Sequence, residues 1–263
     1  WRAAVIDIHS HLLPGVDDGS PSVEVSVPVL ERFAEGGVEV LVCTPHLMAS
    51  AAASAPYHQY RQLLGDLQAA VPAGPALKLG WEIMLDIPGA DLRHPQLGLG
   101  GSKAVLVEFP RMSIPPRAAD ELFRLRASGI VPVLAHPERY QGATVAHVVE
   151  WRRVGAVIQM DGAALLGSRR MGVLAREMLA CGCTDLIASD NHGDTRSLMA
   201  VKAWLLDCGT PEQADLLTRE NARRLLADEP IRDVPPLVVK QGMLGQLKAM
   251  VLGRGRPGRT GRT

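Results

Sequence analysis

The chain has 263 residues, 47% hydrophobic and 21% charged, which is an ordinary globular composition and excludes a disordered, collagen-like or small disulfide-stapled protein. Lys plus Arg and Asp plus Glu both number 28, so no overall field points to nucleic acid or to a membrane surface. The balance is uneven: residues 253–263 hold Arg254, Arg256, Arg259 and Arg262 and no acid, which leaves the remainder net acidic.

The first apolar run, 3–8, leads into His9-Ser10-His11 and then a glycine-rich turn with Asp17 and Asp18. A helix over 22–36 closes at Gly36, and a strand over 38–43 is followed by Thr44-Pro45-His46. No Asp, Glu, Lys or Arg occurs between Glu39 and Arg61, but Pro45, Pro56, His46 and His58 break that stretch. It reads as a strand and a low-complexity loop over 48–56, not as a membrane span. Next come a helix over 57–70, a strand over 76–81 running into Glu82, and a strand over 104–109 ending around Glu108. A helix over 116–128 precedes the strand 130–135, which is followed by His136. A helix over 144–153 leads to the strand 156–160, which alone ends without such a residue, in Gln159 and Asp161. A helix over 170–181 precedes the strand 185–189, followed by Asp190-Asn191-His192. Helices over 196–207 and 211–227 come last. Residues 1–235 are expected to form one domain, 236–252 a C-terminal helix and 253–263 a basic disordered tail.

The strands are Val/Ile/Leu-rich and mostly not alternating, as strands buried on both faces should be. Seven of them separated by helices predict an α/β protein, either a closed barrel or a doubly wound sheet; periodicity does not choose between the two. In either fold these strand ends share one side, where active sites of such folds are built. His9 and His11, two apart on an extended segment, project to one face, as do Asp190 and His192. Any one of these residues alone is unremarkable. Together, His9, His11, His46, His136 and His192 with Asp18, Glu82, Glu108 and Asp190 predict a metal site. Nine candidates suit two or three divalent ions, and imidazole plus carboxylate without thiolate suits Mn, Zn or Fe. Such a site is suited to hydrolysis at phosphorus. His58, His94 and His147 fall outside the pattern and are read as structural. The four cysteines include no CxxC; Cys181 and Cys183 are read as small buried residues, and a reduced, cytoplasmic location is the default.

Six segments carry a family resemblance. DIHSHLLPGVDDGS (7–20), CTPH (43–46), GWEI (80–83), VEFPRMSIPP (107–116), VLAHPERY (133–140) and IASDNH (187–192) stand in suitable order and spacing. They resemble the polymerase-and-histidinol-phosphatase (PHP) superfamily, and more narrowly its bacterial protein-tyrosine phosphatases of capsule and exopolysaccharide loci. The resemblance implies a distorted (β/α)7 TIM-like barrel with a trinuclear centre, usually manganese, at the C-terminal ends of the strands. The implied metal ligands are His9, His11, Asp18, His46, Glu82, Glu108, His136, Asp190 and His192. Arg139 matches a phosphate-binding arginine. Arg196 matches a second, one residue short of the usual spacing. The implied substrate is a phosphotyrosyl protein, an autophosphorylated tyrosine kinase that regulates polysaccharide export. No nucleic acid or membrane span is implied, and a homo-oligomer is compatible with the resemblance.

The chain departs from the family after TPH, where LMASAAASAPYHQY has no Lys or Arg before Arg61. The competing readings are a small-molecule phosphatase of the histidinol-phosphate type and a non-catalytic PHP-like scaffold. Asp7 is expected to support His9 from behind, Asp17 to be a turn residue, and Trp81 to pack or to wall the site; Arg111 follows the Glu108 strand and could reach substrate on position alone, but is not counted among the site residues.

Overall fold

The structure, a computed structural model, describes residues 4–237. The expected tail over 253–263, and all but the first two residues of the expected helix over 236–252, lie outside the described residues, as does the side chain of Arg111.

Parallel strands alternate with helices in the order β1 (Val5–Ser10), α1 (Val23–Gly36), β2 (Val38–Cys43), β3 (His46–Met48), α2 (Tyr57–Ala70), β4 (Ala76–Leu79), β5 (Glu82–Met84) and β6 (Ala104–Glu108). There follow α3 (Ala118–Ala127), β7 (Val131–Ala135), α4 (Val145–Arg153), β8 (Val157–Asp161), α5 (Gly162–Leu166), α6 (Arg170–Ala180), β9 (Leu186–Ala188), α7 (Leu198–Cys208), α8 (Pro211–Asp215) and α9 (Asn221–Leu226). The strands form a sheet ordered β1-β2-β4 and a second ordered β3-β5-β6-β7-β8-β9.

The expected strand count is seven, and the difference has a local cause. The second strand breaks at Thr44-Pro45 and resumes as β3, while the third breaks at Gly80-Trp81 and resumes as β5. Proline carries no N–H for a ladder. Hydrogen bonding nevertheless runs on across the breaks: Gly80 N donates to Cys43 O (2.9 Å) and Glu82 N to Pro45 O (3.1 Å). A β-carbon at Gly80 would stand 2.7 Å from Leu99 Cδ2 and 3.1 Å from Val42 Cγ1, so the chain passes close to its neighbours at the second break. The described strands are not closed into one continuous ladder. At their carboxyl ends β1 and the segment after β9 do meet, through Asp190 N to His9 O (3.0 Å) and His11 N to Asn191 O (2.7 Å).

Three further expectations are corrected. Residues 49–54 are not an open loop but a 3-10 helix with Ala49 and Ala52 buried, pinned where Ser50 N and Oγ both donate to the Asp86 carboxylate (3.0 and 2.5 Å). The left-handed cap of α1 is Gly37 (φ 95°), not Gly36. Of Cys181 and Cys183, which are joined in a disulfide, Cys183 is buried as expected and Cys181 is exposed.

Among the described residues, buried apolar side chains form two clusters. The larger lies between strands and helices around Phe33, Trp81, Phe109 and Trp151. The smaller holds Ile6, Ile8, Val42, Leu106, Val133, Val157 and Leu186 from the strands, with Ala222 and Leu225 of α9. Among the described residues no helix is long and apolar enough to cross a membrane.

Candidate active site

Most of the strands deliver a polar side chain to the same place. In β1 the pairing with β2 passes from Asp7↔Leu41 to Ser10↔Cys43, so one extra residue is accommodated there, and His9 sits in that bulge. His9 and His11 turn their Nε2 atoms toward each other at 3.2 Å. Glu82 is the hub. Its Oε2 lies 3.3, 3.2 and 3.1 Å from nitrogens of His9, His11 and His46, and its Oε1 lies 2.7 Å from His136 Nε2. Asp190 Oδ1 lies 3.3 Å from His9 Nε2, 3.2 Å from His11 Nε2 and 3.6 Å from His192 Nδ1. Asp18 reaches His46 Nε2 at 3.2 Å and His192 Nε2 at 3.6 Å, and Glu108 lies 3.9 Å from His46 Nδ1. Asp18 and His46 are the exposed members; His9, His11, Glu82, Glu108, His136 and Asp190 are buried.

Their donor atoms fall into four overlapping groups: His11/Asp18/His46/His192, His9/His136/Asp190, His9/His11/Glu82 and His46/Glu82/Glu108. Together the groups contain all nine residues singled out from the sequence. The backbone bends to make them meet. His136 (φ 34°) and Asp190 (φ 47°) both adopt left-handed conformations uncommon for residues with side chains, which persist where the surroundings over-determine them.

The donor set fits a cation. His9 Nδ1–H donates to Gln159 Oε1 (2.9 Å) and His11 Nδ1–H to Asp17 Oδ2 (2.7 Å). With the neutral rings so fixed, both Nε2 lone pairs point at the carboxylates of Glu82 and Asp190. Asp190 Oδ1 is buried without a hydrogen-bond partner. Four electron-rich atoms thus converge with no donor between them, an arrangement that is costly unless a positive charge joins it.

In the metal-free protein, protons supply that charge. Burial opposes a charged His9, but Glu82 and Asp190 outweigh it and raise its pKa to about 9; His11 is likewise pushed well up. Burial and the Glu82 charge push Glu108 up to about 8. Despite burial, the histidines around them hold Glu82 and Asp190 well below the carboxylate range. Behind the centre, burial and Asp161 push Glu138 up to about 8. Glu108 and Glu138 keep protons that an unfolded glutamate loses above about 4.3, and His9 keeps one that an unfolded histidine loses above about 6.5. Stability from His9 is therefore lost as pH rises from 6.5 through about 9, and the two glutamates oppose folding increasingly from about 4.3 up to about 8. Metal-free protein is expected to melt at a lower temperature at pH 8.5 than at pH 6, at about 1.4 kcal/mol per pH unit per proton. Calorimetry in chelator at both values checks this; a higher melting temperature at pH 8.5 would contradict it.

Two arginines stand beside the centre. Arg139 Nη2 donates to Asp161 Oδ2 (2.6 Å) and to Asp190 Oδ2, and Nε donates to Asp161 (3.2 Å). Arg196 Nη1 donates to the same Asp190 oxygen (3.3 Å), and its Nε to Asp194 (2.7 Å). Arg196 thus reaches the centre despite its shorter spacing.

Three supporting residues went unrecognised in the sequence. Asp17, expected only in a turn, does accept from Gly19 N (3.0 Å) but also orients His11. Gln159 and Asp161, on the strand that seemed to contribute nothing, orient His9 and Arg139. Asp7 holds the backbone instead of the imidazole, accepting from Ser189 N (3.1 Å) and His9 N (3.4 Å). Trp81 packs: it is fully buried, stacks on Tyr60 and donates to Gln96 O (2.9 Å).

Fold and site together define an all-parallel α/β protein with a histidine–carboxylate centre at the carboxyl ends of its strands. The family model for capsular polysaccharide synthesis proteins of the CpsB/CapC type matches residues 5–227, and the chain belongs to that family. It is 27% identical over 257 residues to tyrosine-protein phosphatase YwqE of Bacillus subtilis (strain 168), covering 91% of this chain and 98% of that protein. It is 26% identical over 246 residues to tyrosine-protein phosphatase CpsB of Streptococcus agalactiae serotype V, covering 84% and 98%. The fold matches a chain from the crystal structures of YwqE from Bacillus subtilis and CpsB from Streptococcus pneumoniae, described as unique metal-dependent tyrosine phosphatases. That match has a TM-score of 0.72 and 24% identity, and covers 90% of this chain and 100% of the other.

Proposed function

We propose that this chain is a metal-dependent protein-tyrosine phosphatase. The observation that carries the reading is the convergence of nine donors into overlapping metal-sized groups, with two arginines meeting at Asp190. The names of its relatives support the substrate class. In this reading His9, His11, Asp18, His46, Glu82, Glu108, His136, Asp190 and His192 hold up to three divalent ions, manganese first. If β2/β3 and β4/β5 are each counted as one broken strand, the two sheets become the seven strands of a distorted (β/α)7 barrel. Residues 1–235 work as one unit in the cytoplasm, on an autophosphorylated tyrosine kinase of a polysaccharide export system.

Bound ions would supply hydroxide near neutral pH and neutralise phosphoryl charge. The chain's own residues do the rest. Gln159 and Asp17 hold the imidazoles in one tautomer, and Arg139 and Arg196 offer N–H groups to phosphoryl oxygens. A tyrosinate leaving group, with a pKa of about 10, needs less protonation than an alkoxide.

The test is turnover of a phosphotyrosyl peptide by metal-stripped protein after adding back Mn, Zn, Mg or Fe, beside a phosphoseryl peptide and histidinol phosphate. Metal-restored, tyrosine-selective turnover is the expected result. Turnover of histidinol phosphate alone would transfer the same chemistry to a small-molecule substrate, and no turnover with any metal would overturn the enzyme reading.

No cysteinyl intermediate is involved. Cys43 is fully buried, and burial pushes its thiol up to about 12. Cys43→Ser is expected to retain metal content and turnover within about threefold, as a buried, protonated thiol is a poor nucleophile. Lost turnover with metals still bound would contradict the mechanism.

A further inference from the structure

Two methionines stand where the fold gives them no packing role. In β3, Leu47 turns to the main core, while His46 and Met48 share the opposite face. The register pairs His46 with Glu82 and Met48 with Met84, and it pairs Met84 with Glu108. His46, Glu82 and Glu108 all face the centre. Met48 and Met84 therefore face it too, one step further toward the carboxyl ends of the strands. Met48 is 55% exposed, and neither methionine belongs to an apolar cluster. The 3-10 turn over 49–54, tied to Asp86 through Ser50, fixes this edge in place. Both arginines follow strands further along the same sheet, β7 and β9. The rim of the centre thus carries thioethers at the β3 and β5 ends and cations past β7 and β9.

We propose that Met48 and Met84 form the subsite for the aromatic ring of the substrate, and so select aryl over alkyl phosphate esters. The proposal rests on the phosphatase reading above. With the phosphoryl group between the centre and the arginines, its ester oxygen and ring extend outward past the methionines. Thioethers are suited to this position, because sulfur–aromatic contacts are favourable and an unbranched side chain adapts to a ring. A lysine or arginine here would compete for the phosphoryl group instead of grading what is attached to it.

The test compares the full chain with M48A, M48L and M48A/M84A, loaded with the metal that best supports wild-type turnover. KM and kcat are measured on one peptide in phosphotyrosyl and phosphoseryl forms, with metal content determined alongside. The tyrosine-to-serine ratio of kcat/KM is expected to fall about three- to tenfold in M48A/M84A, through KM for the phosphotyrosyl form. M48A should show part of the fall and M48L most of the wild-type ratio. An unchanged ratio in M48A, or an equal loss on both peptides, overturns the proposal. Because Met48 is exposed, M48A decides the matter if the double variant does not fold. An inactive wild-type chain would instead overturn the phosphatase reading itself.

Discussion

Glu82→Gln is expected to abolish phosphotyrosine turnover and to empty more than one metal position while the fold survives. Glu82 belongs to two of the four donor groups and touches His9, His11, His46 and His136. It is 2% exposed, so no water can replace its lost charge. The amide keeps the shape but loses the charge and turns one oxygen into a donor, whose hydrogens would occupy histidine lone pairs that otherwise face the ion. Removal of a single charge-stabilising group typically costs about 10²–10³-fold in rate, and a residue shared between ions should cost at least that. Elemental analysis of the purified variant should show a loss exceeding one ion per chain, and a wild-type far-ultraviolet circular-dichroism spectrum with cooperative unfolding would show that the fold is intact. A variant with full metal content and wild-type kcat/KM would remove Glu82 from the centre. Asp18→Asn makes the comparison, since Asp18 is 72% exposed at the edge of one donor group and should lose less.

The nine donors were legible because all but Asp18 stand at or just past the end of a predicted apolar run, and parallel connectivity brings those ends to one side. Their supporters were not. Gln159 orients His9 across 150 positions of sequence, a relation that no spacing rule captures. Asp161 looked like a strand end without a partner because its partner, Arg139, lies on the 3-10 turn after the neighbouring strand. Asp17 had two roles, and the nearer one, in its own turn, concealed the reach to His11. Strand existence was read well, but the breaks at Thr44-Pro45 and Gly80-Trp81 were not, because periodicity registers apolar runs and not the loss of one N–H. The five-residue helix α5 is too short for a helical period to register. Small residues between Met48 and Pro56 suggested an open loop. In the structure two of those alanines are buried, which small side chains allow at close approach.

Arg139→Ala is expected to lower kcat/KM for a phosphotyrosyl peptide by about 10²-fold, and Arg139→Lys to recover only part of that loss. The guanidinium is mostly buried; burial works against its charge, yet Asp161 and Asp190 hold it firmly protonated. One face of its fork is fixed on Asp161 by two N–H groups, so the remaining donors are presented at a set angle beside the centre. Lysine restores a charge but cannot span Asp161 and Asp190 with one planar group. Arg196 has a weaker hold: its contact with Asp190 is 3.3 Å, and its Nε is spent on Asp194. Arg196→Ala should therefore cost about tenfold, less than Arg139→Ala. Asp161→Asn separates position from charge. It leaves Arg139 in place but loosens its fork, so KM should rise more than kcat falls, with metal content unchanged. Equal effects of the two arginine variants would mean that the Asp161 clamp contributes nothing. Wild-type kinetics in Arg139→Ala would place the phosphoryl group elsewhere in the centre.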